Sequence, residues 1–251
     1  MTQSQRTLTS INEKIKKILQ KKMALIWSAL FLLSIGSIIA LFQLSTSLRA
    51  NDRLDIKRLE ITTLGYQLKS VSNYLTSEAR SFAATAAPSH LINFWNEVDI
   101  QERREKAIQN LMLVDTNKDT SRLLILSKHN SDKLINTELR SMYLILTAYN
   151  IPISLFPQGV RAYQLTPYEE KLSRSEKILL AQKILFDKKY QNDKISIVNP
   201  INEFNSKTLK KLKEDLVQIN REQAELLLVL KITLSILALL IVCIAWYRLV
   251  E

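Results

Sequence analysis

Glycine, proline, cysteine and histidine are all scarce: three glycines, five prolines, one cysteine and two histidines among 251 residues. Gly36, Gly65 and Gly159 are too scattered to form a phosphate-cradling loop, and no serine stands in a G-x-S-x-G elbow. Neither His90 nor His129 has a second ligand three or four places away, so no metal site and no cofactor are expected. Cys243 lies inside an apolar run, which leaves neither a disulfide framework nor a thiol nucleophile. The acid pairs Glu169/Glu170 and Glu214/Asp215 stand among lysines and read as salt-bridged helix surface. No catalytic residues are expected, and any enzymatic output would lie outside these residues.

Strand-like alternation is absent as well, and so few helix breakers leave a chain that reads as all-α. What is abundant is apolar sequence in two blocks. Met23 to Leu44 carries no charge, and Leu226 to Tyr247 is interrupted only by Lys231. Each suits the roughly 20 residues that a helix needs to cross hydrocarbon. The first follows a basic stretch, as a secretory signal would. Its apolar run is longer than a signal's, however, and no small-x-small cleavage site follows, so an uncleaved anchor is expected. Lys231 sits near one end of the second block, from which its stem can carry the ammonium to the headgroups. Lys21, Lys22, Lys231, Trp246, Tyr247 and Arg248 are the expected interface anchors.

Residues 1–22 hold six Lys or Arg against the single acid Glu13, so the N-terminus is expected to be cytoplasmic and the region between the blocks extracytoplasmic. The net charge of +11 is spread along helices among many acids rather than gathered in a stripe, and no nucleic-acid partner is expected. The arm itself places Leu8, Ile11, Ile15, Ile18 and Leu19 on one face, with Ser10 and Glu13 spaced as a capping box. It suits an anionic inner leaflet or serves simply as a basic topology signal.

Between the blocks, Leu54, Ile61, Leu68, Leu75 and Phe82 recur every seven residues, with Leu64 and Val71 between them: the seam of a long helix. Pro88 ends it near "TAAPSH". A second helix is expected over about 89–114, a third over about 119–150 (Ile135, Leu139, Met142, Leu146 and Tyr149 inward), and a short one over about 173–187. "IPISLFPQGVRAYQLTPYEE" reads as loop. After "NPINEF", the last helix keeps Leu209, Leu212, Leu216, Ile219, Gln223, Leu226 and Leu230 in one phase, with no glycine or proline from Ile201 to Glu251. An unbroken helix of that length spans about 75 Å and would carry a displacement without a soft joint. Tyr74, Arg80, Phe82 and Trp95 gather about the first helix-helix turn, and Tyr74, Arg80 and Trp95 are the candidate ligand-binding residues.

At that turn, "YLTSEARSFAATAAPSHLINFW" resembles the input region of bacterial transmembrane receptors: chemoreceptors, sensor kinases and membrane diguanylate cyclases with helical-bundle sensors. Their pattern is AR-x-[YF]-x-x-T-G-D-x-x-[YH]-x-x-x-Y/W. Ala79, Arg80, Phe82 and Thr85 match it, His90 and the Phe94/Trp95 pair match approximately, and Ala86-Ala87 replace Gly-Asp. "LSRSEKILLAQKILFDKKYQNDKISIVNPINEF" is similar to the segment before the last helix of such sensors, and "AWYR" to the aromatic anchor before their cytoplasmic relay domain.

The resemblance implies a signal-transduction sensor in the bacterial inner membrane. Its expected layout is a cytoplasmic arm (1–22), a transmembrane helix (23–44), a periplasmic antiparallel four-helix-bundle-like domain (45–225), a second transmembrane helix (226–247) and a cytoplasmic stub (248–251). The expected partners are the lipid bilayer, a second copy in a homodimer, a small-molecule ligand or binding protein, and a cytoplasmic signalling partner or output domain. Such an output domain would begin after Glu251: the chain is either a portion of a receptor or an output-less sensor. The rival is a two-anchor scaffold that docks an envelope protein, with the proline-rich loop and Phe156 as its contact.

Overall fold

A computed structural model describes the backbone of residues 3–161 and 163–250, and the side chains of residues 17, 20–161 and 163–246. All regular structure among these residues is helical. The elements are α1 (Gln3–Thr85), α2 (Pro88–Asn96), a π-turn (Glu97–Gln101), α3 (Arg103–Val114), α4 (Lys118–Ala148), a 3₁₀ turn (Ile153–Leu155), α5 (Gln158–Arg161), α6 (Pro167–Glu170), α7 (Arg174–Phe186) and α8 (Lys188–Val250). The chain divides into two compact units: Met1–Leu54 with Glu214–Glu251, and Asp55–Lys213. Two stretches, in α1 and α8, are long and apolar enough to cross a membrane.

In the unit Asp55–Lys213, the expected seam of α1 is the core: Ile61, Leu68, Val71, Leu75 and Phe82 are buried. α1 ends where Pro88 requires, and Ala86 turns the chain with φ 55°. Pro88 then opens α2 at its first position, where its missing N–H costs nothing.

Three expectations are corrected in this unit. The second helix is not continuous over 89–114. A π-turn and the left-handed Glu102 (φ 48°) divide it, which brings the Arg103 amide (3.2 Å) and guanidinium Nε (2.6 Å) onto the buried Glu97 carboxylate. The proline-rich loop holds three short helical turns, and Phe156 is buried edge-on against Tyr143. Glu169 is not surface: it is 1% exposed, closes a capping box with Thr166 and accepts from Arg140 Nε at 2.7 Å. Burial pushes its carboxyl up, but the bonds from Thr166 and Arg140 outweigh that and hold it below the ordinary range.

The last helix also begins earlier than expected and passes straight through Pro200. A proline there removes one N–H and orphans the carbonyl four residues back. That carbonyl, of Ser196, accepts from Asn130 Nδ2 at 2.9 Å, and Ile197 O accepts from Ser127 Oγ at 2.9 Å, both from α4. Replacing Ser127 and Asn130 together by alanine leaves the Ser196 carbonyl without a donor and removes the additional bond to Ile197 O, and a loss of about 1–3 kcal/mol is expected in chemical denaturation.

The other unit is a helix pair. Along its seam, Ile26, Leu30, Leu33, Ser37, Ala40 and Leu44 of α1, and Leu226, Leu230, Thr233, Leu237, Leu240 and Ile244 of α8, are half-buried or buried. They alternate in steps of three and four, the spacing of a coiled-coil seam. The small Ser37 and Ala40 permit close approach, and Ser37 Oγ lies 3.2 Å from Thr233 Oγ1. The remaining faces are apolar and exposed, Leu25, Phe42 and Trp246 each at about 70%. Lys21, Lys22 and Lys231 are exposed, while the side chains of Tyr247 and Arg248 lie outside the described residues. So do those of Leu8, Ile11, Ile15, Ile18, Leu19 and Glu13. α1 is already helical from Gln3, so Ser10 does not cap its start.

Candidate functional site

The inward face of α4 is the line Leu124, Ser127, Ser131, Leu134, Glu138, Ser141, Ile145 and Ala148, all buried. Of the expected Ile135, Leu139, Met142, Leu146, Tyr149 stripe, Met142 and Leu146 are buried beside this line, Ile135 and Leu139 are half-buried and Tyr149 is 43% exposed. Four polar residues on this line meet partners from other helices or loops. Ser141 Oγ donates to Ala181 O of α7 at 2.8 Å, Ser131 Oγ accepts from Arg104 Nη1 of α3 at 2.7 Å, and Ser127 serves α8 as described.

Glu138 is the fourth. Its carboxyl is 1% exposed and accepts from the Tyr190 hydroxyl at 2.6 Å. That hydroxyl also lies 3.4 Å from Thr76 Oγ1, so α1, α4 and α8 meet at one carboxyl. Tyr190 is fixed because the Asp187 carboxylate accepts from its amide at 2.7 Å in the first turn of α8. Its ring and that of Phe186 sandwich a cation: Arg80 lies 5.3 Å and 4.5 Å from their centroids. Arg80 Nε and Nη2 donate to Leu185 O at 3.0 and 2.9 Å. This is the last turn of α7, where carbonyls lack helical partners and the dipole favours a cation. One turn along α8, Lys194 Nζ donates to Asn73 Oδ1 at 3.3 Å.

The electrostatics follow from this packing. Burial drives the Glu138 carboxyl up to about 7, although Tyr190, Lys194, Arg104 and Arg80 all act to lower it. Burial and the facing Glu138 push the Tyr190 phenol up. Burial and Arg80 push Lys194 down. A second buried carboxyl, Asp115, differs in kind. Burial raises it, but donors on Thr208 (2.7 Å), Asn117 (3.1 Å) and Thr120 (2.9 Å), with Lys57 nearby, leave it lower than usual. Glu138 has one donor where Asp115 has three.

Of the residues expected from sequence, Arg80 lies in this cluster and the other two do not. Tyr74 lies beneath the Arg103 guanidinium, 5.4 Å from ring centroid to Cζ. Trp95 is buried edge-on to Phe94, its ring against Gly159, where a Cβ would collide with it. Its indole N–H has no partner among the described residues. His90 pairs through Nδ1 with Glu78 at 2.8 Å. Glu138, Tyr190 and Lys194 went unnoticed in sequence, although Ser127, Ser131, Glu138 and Ser141 recur in steps of four, seven and three on one face of α4. Among the described residues no group of three or more His, Cys, Asp or Glu is placed to hold a metal ion.

The helix pair carries an open groove of about 630 Å³ bounded by Gln43, Thr46, Ser47, Glu222, Glu225 and Leu226. Among the described residues Ser47 Oγ is buried without a partner, as are Asn51 Oδ1 and Gln223 Nε2 of the same unit.

No protein-family model, curated protein or solved structure matches the chain.

Proposed function

We propose that the chain is the input part of a transmembrane signal-transduction sensor. In this reading the helical unit Asp55–Lys213 stands on the extracytoplasmic side of a bacterial inner membrane and detects a small solute or a partner. The signal passes through the end of α8 to a cytoplasmic output. No catalysis by these residues is part of the reading.

One observation carries it. α1 and α8 each contain both an exposed apolar run and residues of the helical unit's core, so the helices that would cross the bilayer are the helices that build the domain. A change in how α1 and α8 pack in that domain therefore has a covalent route to the membrane. It works as a signal only where the ligand binds one packing better than the other.

Three details support the reading. Thr233 faces Ser37, which puts Lys231 level with residues near 39, roughly 7 Å of helix inside the first apolar block and within a lysine stem's reach of the headgroups. Ala86 takes a left-handed φ at the position where the receptor pattern carries glycine. Ile56, Leu59 and Tyr66 share an exposed face of α1, apolar surface that suits a second copy in a homodimer.

The scaffold reading keeps one favourable observation. Phe156 is buried and unavailable, but Ile153 and Leu155 beside it are 57% and 71% exposed. A thermal-shift screen of the full chain in detergent, at fixed pH against a metabolite panel, separates the two. A sensor of solutes is expected to be stabilised by at least one of them, since a ligand that binds only the folded state stabilises by mass action. Uniform absence of stabilisation counts for the scaffold.

A further inference from the structure

Resting on the sensor reading, we propose that Glu138, held against the Tyr190 hydroxyl where α1, α4 and α8 meet, is a proton-binding site that governs the α4–α8 contact, so that one ligand of this sensor is the proton.

The geometry separates Glu138 from the other acids of the domain. Asp115 is buried but saturated with donors, and Glu97 and Glu169 are buried against arginines, Arg103 and Arg140. Glu138 alone among these four is buried with a single short donor and no ion pair among the described residues. A carboxylate in that position keeps lone pairs unsatisfied in a dry interior, whereas the protonated acid needs fewer partners. The neutral form fits the observed packing better, and burial places the titration near neutrality.

The groups facing it decide what ionisation does. From α1 come the Thr76 hydroxyl and Arg80, from α3 Arg104, and from α8 Tyr190 and Lys194. Arg104 is committed to Glu105, Ser131 and Asp132, and two Arg80 nitrogens to the Leu185 carbonyl. Lys194 is held only by Asn73, through one bond of 3.3 Å to a neutral oxygen. When Glu138 releases its proton to water, the new carboxylate attracts the most weakly held cation. Lys194 then leaves Asn73, and the start of α8 shifts along α4. The shift arises on α8, with Asn73 and Thr76 of α1 losing contacts, and both helices continue into the candidate membrane spans.

The test uses the full chain with Cys243 replaced by serine, in phosphatidylcholine nanodiscs. Infrared difference spectra between pH 5.5 and 8.5 report the carbonyl stretch of a protonated carboxylic acid. Spin labels at Lys133→Cys on α4 and Gln191→Cys on α8, both exposed, report the helix separation. The expected result is an acid band that disappears with a midpoint near 7, a change in label distance with the same midpoint, and loss of both in E138Q. Should E138Q fold poorly, Lys194→Met keeps the band, moves its midpoint upward and abolishes the distance change. A band that does not titrate, or one that titrates while the distance stays fixed, overturns the proton site. The sensor reading has its own test: a solute that stabilises the chain at fixed pH preserves that reading even where the proton site fails.

Discussion

Raising the pH from 5 to 8.5 is expected to destabilise the chain by about 2–3 kcal/mol through Glu138 alone, and Glu138→Gln is expected to remove that loss. The carboxyl titrates at about 7 when folded, above its ordinary value of 4.5. Between those two values the folded chain binds more protons than the unfolded chain. Stability therefore falls as pH rises through this window and levels off above it. Asp115 and Glu169 act with the opposite sign. Their folded values are depressed, so their contribution is present above the usual carboxylate range and is lost as the solution becomes more acidic. Together they place the optimum near the lower edge of the Glu138 window. Thermal unfolding of the full chain in detergent, followed by near-ultraviolet circular dichroism across this range, checks the slope. A flat wild-type profile above pH 5 would show that Glu138 is ionised at no cost.

Tyr190→Ala is expected to be the most damaging single substitution at the site, at about 3–5 kcal/mol. The ring is 1% exposed, so its removal leaves a large cavity where three helices meet. It also withdraws the one short donor that Glu138 has among the described residues and one of the two rings that hold Arg80. Tyr190→Phe separates these losses. It keeps the ring and the cation-π surface and removes only the hydroxyl, so a cost of about 1–3 kcal/mol is expected. Because that hydroxyl helps to hold the carboxyl down, its loss also moves the pH-dependent decline upward. Equal costs for the two variants would mean that the hydroxyl, not the ring, carries the contribution of Tyr190.

Much of the architecture was legible because apolar periodicity reports burial. The seven-residue recurrence from Ile61 to Phe82 marks the core face of α1, and the two uncharged or nearly uncharged runs mark the exposed apolar helices. The failures share a cause. Burial on α4 runs through Ser127, Ser131, Glu138 and Ser141, which a hydrophobic pattern scores as surface, so the apolar stripe captures Met142 and Leu146 but not the polar line beside them. Pro200 reads as a stop, yet the helix continues, and the Asn130 side chain, 66 residues from Ser196, supplies the missing donor to its carbonyl. The break at Glu97–Gln101 depends on a local ion pair that leaves no periodic trace. For the same reason Arg80 was found and Glu138 was not. An arginine among aromatics stands out in sequence, whereas the solvation of one glutamate is decided by helices distant in the chain.

The most direct test of the account is which side of the membrane the helical unit occupies. In a chain with Cys243→Ser, produced in bacterial spheroplasts, cysteine is placed either at the exposed His129 of α4 or at Glu13 in the basic arm, and a membrane-impermeant maleimide is added. The account expects His129→Cys to react in intact spheroplasts and Glu13→Cys to react only after permeabilisation. Protection of His129→Cys until lysis would put the domain in the cytoplasm and contradict it.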